Sequence, residues 1–181
     1  TILTITMAVL LYAGPMSLFD SICHAMSTLS TGGLSTTTSF IDTWHSVYVK
    51  IILAVFMFIG SINFVLIYRM SIGDVKGIWK NETFRFYIKY ILTFSAIVAV
   101  ILFLQGKSTN LENGIIDPIF QVLSSSSTTG YIVEGYNSWG TPILMIFFVL
   151  MVIGSCAGST TGGIKIDRII YMFKNIRNEI Y

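Results

Sequence analysis

The chain has 181 residues, of which 54% are hydrophobic and only 11% charged, and its mean hydropathy is +0.75. Soluble domains carry about 25% charged residues, so the composition excludes an ordinary soluble fold and indicates an integral membrane protein. A formal net charge of +2 without an Arg/Lys stripe gives no reason to expect a nucleic-acid partner, and Cys23 and Cys156 lack any CxxC or Cys/His spacing, so neither a disulfide nor a metal site is expected.

Residues 1–14, TILTITMAVLLYAG, have no basic flank, no initiating Met and no small-residue cleavage pattern. They read as the outer part of a cut helix at an artificial or proteolytic boundary, and not as a signal peptide. Residues 17–30 are moderately apolar but contain Asp20 and His24. A full span there would put polar groups into lipid at several kcal/mol each, so a half-membrane helix is expected. Asp20 opens it, either capping free amides or forming a cation-attracting mouth. Cys23 and His24 are neighbours that point to different faces, a poor nucleophile–base pair, and no acid pair replaces it; an enzyme is not expected.

A loop over 30–36 follows, with Thr31, Gly32 and Gly33, and then an inner helix over 46–69 whose Lys50 can snorkel to the headgroups. Together 1–70 form one unit. Residues 71–85 make a basic, cytoplasmic linker by the positive-inside rule, which counts Arg69, Lys76, Lys80, Arg85 and Lys89.

The second unit spans 86–181. It contains an outer helix over 86–105, a second half-helix over 115–127 opened by Asp117, a loop over 127–132 with Thr128, Thr129 and Gly130, and an inner helix over 141–174 interrupted at 154–163. Lys165, Arg168, Lys174 and Arg177 follow the interruption, whereas 106–140 has only Lys107 against Glu112, Asp117 and Glu134. Both basic clusters therefore face the cytoplasm and 106–140 faces out, which makes 17–45 and 106–140 re-entrant. Trp44 and Trp139 suit either an outer aromatic belt or ordinary packing.

The two units repeat. DSICHAMSTLSTGGL aligns with DPIFQVLSSSSTTGY at one constant offset, which matches Asp20 to Asp117, Thr31 to Thr128 and Gly33, not Gly32, to Gly130. The fold class expected is an all-α membrane protein built of tandem helix–re-entrant pore loop–helix repeats of the potassium-channel type. Irregular backbone at membrane depth is tolerated only where protein or a water-filled path satisfies it. Carbonyls there can replace a cation's hydration shell, threonines add oxygens without fixed charge, and glycine permits positive φ and a close approach. Thr31, Gly32, Gly33, Thr128, Thr129 and Gly130 are thus candidate selectivity-filter residues. The interruption, GSCAGSTTGGIK, fails the phosphate-binding pattern GxxxxGK[ST] because Ile164 follows Gly163. Gly154, Gly158, Ser159, Thr160, Thr161, Gly162, Gly163 and Lys165 form a flexible gating loop or, alternatively, a close small-residue packing site. Lys165 and Arg168 are either snorkelling anchors or a link to a cytoplasmic regulator.

In DSICHAMSTLSTGGLST, SSSSTTGY and GSCAGSTTGGIKIDR the chain resembles the Trk/Ktr/HKT superfamily of potassium transporters, most nearly its bacterial TrkH-like branch. The resemblance covers nearly all of the chain. It implies four such repeats around one pore, of which this sequence holds the second, mostly complete, and the third, with Gly33 and Gly130 as filter glycines and 154–163 as an intramembrane gating loop. The family's loop often has a longer glycine run, and Thr161 departs from it. The resemblance also implies potassium as the transported ion and no covalently bound cofactor. A nucleotide, NAD or ATP, enters only through a cytoplasmic regulatory subunit of TrkA/KtrA type. A homodimer, the remaining repeats of the same transporter as partners and a multi-pass location in the plasma membrane, the inner membrane in bacteria, are implied as well. A competing reading is a secondary transporter of another solute, or of sodium, built from discontinuous helices; it would want half-helix N-termini at the site.

Overall fold

The computed structural model describes residues 1–38, 43, 44, 46–106, 112–133 and 135–180. Lys107 and Glu134, two of the charges weighed for topology, lie outside them. The described residues form nine α-helices and no strand: α1 (Ile2–Tyr12), α2 (Leu18–Leu29), α3 (Val47–Ser61), α4 (Phe64–Ser71), α5 (Val75–Lys80), α6 (Glu82–Leu104), α7 (Asp117–Ser126), α8 (Thr141–Val152) and α9 (Ile166–Ile180).

Among the described residues only α6, with 23 residues, is by itself long and apolar enough to cross a membrane; at 1.5 Å per residue it spans about 35 Å. It starts four residues before the expected 86, because Asn81 caps it by accepting from the Phe84 amide at 3.0 Å. The half-helices α2 and α7 have 12 and 10 residues, which gives each about half the thickness of the hydrocarbon core. α7 starts at Asp117, preceded by a wide helical turn over Glu112–Ile116.

The inner helix of the first unit departs from expectation. Instead of running unbroken over 46–69 it ends at Ser61 and restarts at Phe64, bent by 108°. The physical cause is local: Ile62 is extended, and the Asn63 side chain accepts from the Val65 amide at 2.8 Å, a cap that starts a new helix. The 71–85 linker likewise contains α5, capped by Asp74.

α7 lies at the centre, packed against α3, α6 and α8, and nearly all of its residues are buried. α2 packs on α1 and α3 and buries only Ser21, His24, Ala25 and Thr28. The apolar core runs through these helices and includes Leu11, Leu53, Met57, Tyr87, Phe120, Tyr131 and Leu150. A separate small cluster of Ile62, Leu66, Ile78 and Phe84 joins α4 and α5 to the start of α6.

Two charged expectations are corrected. Lys50 does not snorkel: it is buried and its Nζ lies 3.0 Å from Asp117 Oδ1, itself buried. Asp117 accordingly is not the cap of α7; Ile116 holds that position, without a side-chain bond. Asp20 does serve the start of α2, but reciprocally with Ser17, the actual cap: Ser17 Oγ accepts from the Asp20 amide and donates to Asp20 Oδ2 at 2.7 Å. Trp139 is buried against Phe147, and Trp44 packs edge-on to His24, so both tryptophans take part in internal packing.

Candidate functional site: two matched loops and a glycine-rich insert

Both half-helices end in the same way. The residue after each C-cap, Thr31 and Thr128, takes φ of 54°, the left-handed region that a β-branched side chain normally avoids. In the first copy Thr31 N donates to Thr28 O and Gly32 N to Ser27 O; in the second Thr128 N donates to Ser125 O and Thr129 N to Ser124 O. These are the paired bonds of a Schellman terminus, which usually has glycine where threonine stands here. Serine braces each loop from the last turn: Ser27 Oγ accepts from Leu34 N at 2.7 Å, and Ser124 Oγ donates to Tyr131 O at 2.7 Å.

With those bonds made, the chain leaves each helix extended. Among the described residues no donor reaches the carbonyls of Thr31, Gly32, Gly33, Thr128, Thr129 or Gly130. These six unpaired carbonyls stand in two matched triplets; Thr129 is buried, Thr31, Gly33 and Thr128 are half-buried, and Gly32 and Gly130 are exposed. The triplets adjoin. A Cβ on Gly33 would lie 1.8 Å from the Thr129 carbonyl oxygen, and Gly33 also has φ of +64°. Gly130 has φ of +90°, whereas Gly32 has no positive φ and its nearest neighbour would be 3.4 Å from a Cβ. Gly33 and Gly130 are thus the positions whose backbone requires glycine.

Behind the loops stands a polar and aromatic support. His24 is fully buried; its Nδ1 is 2.8 Å from Asp20 O and its Nε2 3.1 Å from Ser35 Oγ, near the end of the first loop. The Nδ1 bond to a carbonyl requires the proton on that nitrogen, leaving Nε2 to accept from Ser35. The ring stacks on Tyr131, whose hydroxyl meets Thr28 Oγ1 at 3.1 Å. Thr36 Oγ1 donates to Asp20 Oδ1 at 2.6 Å, tying the returning strand to the start of α2.

Between α8 and α9 the Gly-rich insert folds back on itself. Gly154 N donates to Ile164 O and Ile164 N to Val152 O, both at 2.9 Å. A Cβ on Gly154 would be 2.0 Å from Gly162 O, so the closure admits no side chain there. The insert then docks on both loops. Thr31 Oγ1 donates to Thr160 O at 3.0 Å, shared with its neighbour Ser30 O, while Gly162 N donates to Thr128 Oγ1 at 2.7 Å. Ser155 Oγ donates to Ser126 O at the end of α7. Ser159 bonds Thr161, and Lys165 folds back to donate to Thr161 O and Oγ1. Asp167 accepts from the Ala157 amide and from Thr83 at the start of α6.

A model of the TrkH cation transport protein family matches residues 2–181 of this chain. The chain belongs to the TrkH family. It is 30% identical over 180 residues to the Trk system potassium uptake protein TrkH of Salmonella typhimurium, covering 99% of this chain and 37% of that one. It is 35% identical over 176 residues to the protein of the same name from Vibrio parahaemolyticus, covering 94% and 36%. The crystal structure of the potassium transporter TrkH from Vibrio parahaemolyticus superposes with a TM-score of 0.92 at 30% identity, over 98% of this chain and 39% of that one. The chain thus spans little more than a third of these relatives, and has the all-α membrane fold of the family.

Within this TrkH-family fold all six candidate filter residues come together, and the insert from Gly154 to Lys165 lies against them. The hydroxyls of Thr31 and Thr128 bond the insert, and that of Thr129 bonds Ser127 at 2.7 Å, so these hydroxyls are engaged within the protein whereas the six backbone carbonyls are not. Lys165 bonds within the insert in which it was expected; Arg168 is exposed. Sequence reading missed Ser27, Ser124, Tyr131 and Asn63. The two serines were legible as an aligned pair one turn before the loops; the Tyr131 contact across the repeats had no local signal.

Proposed function

We propose that the chain forms two adjacent walls of a potassium pathway through the plasma membrane, part of a Trk-type uptake protein. The observation that supports this best is the pair of matched carbonyl triplets at the C-terminal ends of two half-helices. A ring of backbone carbonyls can substitute for the hydration shell of a monovalent cation while leaving it free to move on, and helix C-termini add negative potential. The competing reading of a transporter for another solute would want half-helix N-termini at the site; here both loops follow C-termini.

In this reading Thr31, Gly32, Gly33, Thr128, Thr129 and Gly130 select the ion through their carbonyls. The 154–163 insert gates the pathway by resting against them. The relatives' names place them in a Trk system of potassium uptake, which supports potassium as cargo and a multi-component assembly. A cytoplasmic nucleotide-binding subunit, a homodimer and a multi-pass inner-membrane location complete the proposal. The test is rubidium uptake by the full-length protein carrying Gly33→Ser or Gly130→Ser. Reduced uptake or lost discrimination against sodium is expected in both; unchanged uptake and selectivity in both would remove the filter assignment.

A further inference from the structure

At the locally capped break between α3 and α4, the Gly-rich insert supplies partners to backbone groups that a continuous helix would pair with one another. In an unbroken α-helix Gly60 O would accept from Phe64 N, and Ser61 O from Val65 N. Here Gly60 O accepts from the Thr160 amide and hydroxyl, at 3.4 and 3.2 Å, and Ser61 O from Cys156 N at 3.3 Å. Phe64 N donates instead to Gly158 O at 3.1 Å, and Val65 N to the Asn63 side chain at 2.8 Å. Gly158 lies so close to Asn63 that a Cβ there would be 3.0 Å from the amide nitrogen.

We infer that α3–α4 and the 154–163 insert are one two-state device, in which withdrawal of the insert lets the break close into a continuous helix. This rests on the reading of the insert as the gate. Withdrawal alone would leave the carbonyls of the buried Gly60 and Ser61, and the Phe64 amide, without their protein partners, a cost that falls mainly on the two carbonyls. Closing the helix pairs Gly60 O with Phe64 N, and Ser61 O with Val65 N once the Asn63 side chain releases that amide. Insert and helix therefore compete for the same backbone groups, and neither has to leave them bare. α4 packs with α5 in the small Ile62, Leu66, Ile78 and Phe84 cluster, which also rests on the start of α6, so a swing of α4 carries α5 with it and shifts the contact with Phe84. Movement of this cytoplasmic hairpin is thereby coupled to the gate, which supplies a route for a cytoplasmic signal.

The experiment uses the full-length protein in liposomes, with Cys23→Ser and Cys156→Ser and spin labels at Ile51 and Met70, both exposed. A continuous helix would put these positions about 28 Å apart, roughly 11 Å farther than the bent form. Residues 156–161 are deleted to remove the docking bonds to Gly60, Ser61 and Phe64, and distance and potassium uptake are both read. The inference predicts the longer distance in the deletion variant. An unchanged distance with raised uptake would overturn it and leave the gate reading standing. A longer distance with unchanged uptake would support the exchange and remove the gate reading. Phe64→Pro supplies an opposing sign: proline fits the first position of α4 after the extended Asn63 but cannot donate to Gly60. The exchange predicts several-fold lower uptake and a distance that stays short after the deletion. A passive seat, having lost one docking bond, predicts equal or higher uptake and would overturn it.

Discussion

Thr31 and Thr128 are the residues at which the chain accepts strain, since a β-branched side chain in the left-handed region costs about 1–2 kcal/mol relative to an ordinary backbone. Glycine would avoid that cost, and the reason for threonine is visible in its hydroxyl. Each one reaches the Gly-rich insert, Thr31 as donor to Thr160 O and Thr128 as acceptor from Gly162 N. One residue thus bends the backbone into the loop and holds the insert beneath it. Thr128→Val keeps shape and strain but removes the acceptor of the exposed Gly162 amide, a net loss of about 0.5–1.5 kcal/mol. Resting potassium uptake by the full-length protein should rise in Thr128→Val and stay near wild type in Thr128→Ser, which keeps the hydroxyl. Equal uptake in the two variants would show that the hydroxyl does not hold the insert.

Among the helices, α7 is positioned by charge as well as by apolar packing. Lys50 from α3 meets Asp117 at the head of α7, both buried, and removing one partner of such a pair costs about 3–5 kcal/mol because the other charge is left uncompensated. Lys50→Met should therefore lower the thermal unfolding temperature of the detergent-solubilised protein markedly, and Lys50→Met with Asp117→Leu should recover most of the loss. A double variant as unstable as the single one would contradict the pairing. The sequence placed both residues at helix ends but treated each alone, because nothing local connects positions on different helices. The α3–α4 break was more legible. Gly60 and Ser61 followed by Asn63 carry a small-residue stop and an N-cap signal, which the unbroken apolar run from Val47 to Tyr68 concealed.

Over the whole molecule, the tandem plan was readable because Asp, Ser, Thr and Gly recur at one offset, and the structure repeats even the φ angle of 54° at Thr31 and Thr128. Half-helices were legible from their length and polarity. What no periodicity carried was the convergence of the parts: Gly33 against the Thr129 carbonyl, Tyr131 against His24 and Thr28, and the insert against both loops and the α3–α4 break. Most of those contacts join residues about a hundred positions apart, and they bring the two similar units together. The central claim is that the carbonyls of residues 31–33 and 128–130 bind the transported ion. It is tested most directly by crystallography of the full-length protein soaked in rubidium, locating the ion by anomalous scattering. The account predicts an anomalous peak in contact with carbonyl oxygens of both triplets; peaks confined to other sites, in protein that still takes up rubidium, would contradict it.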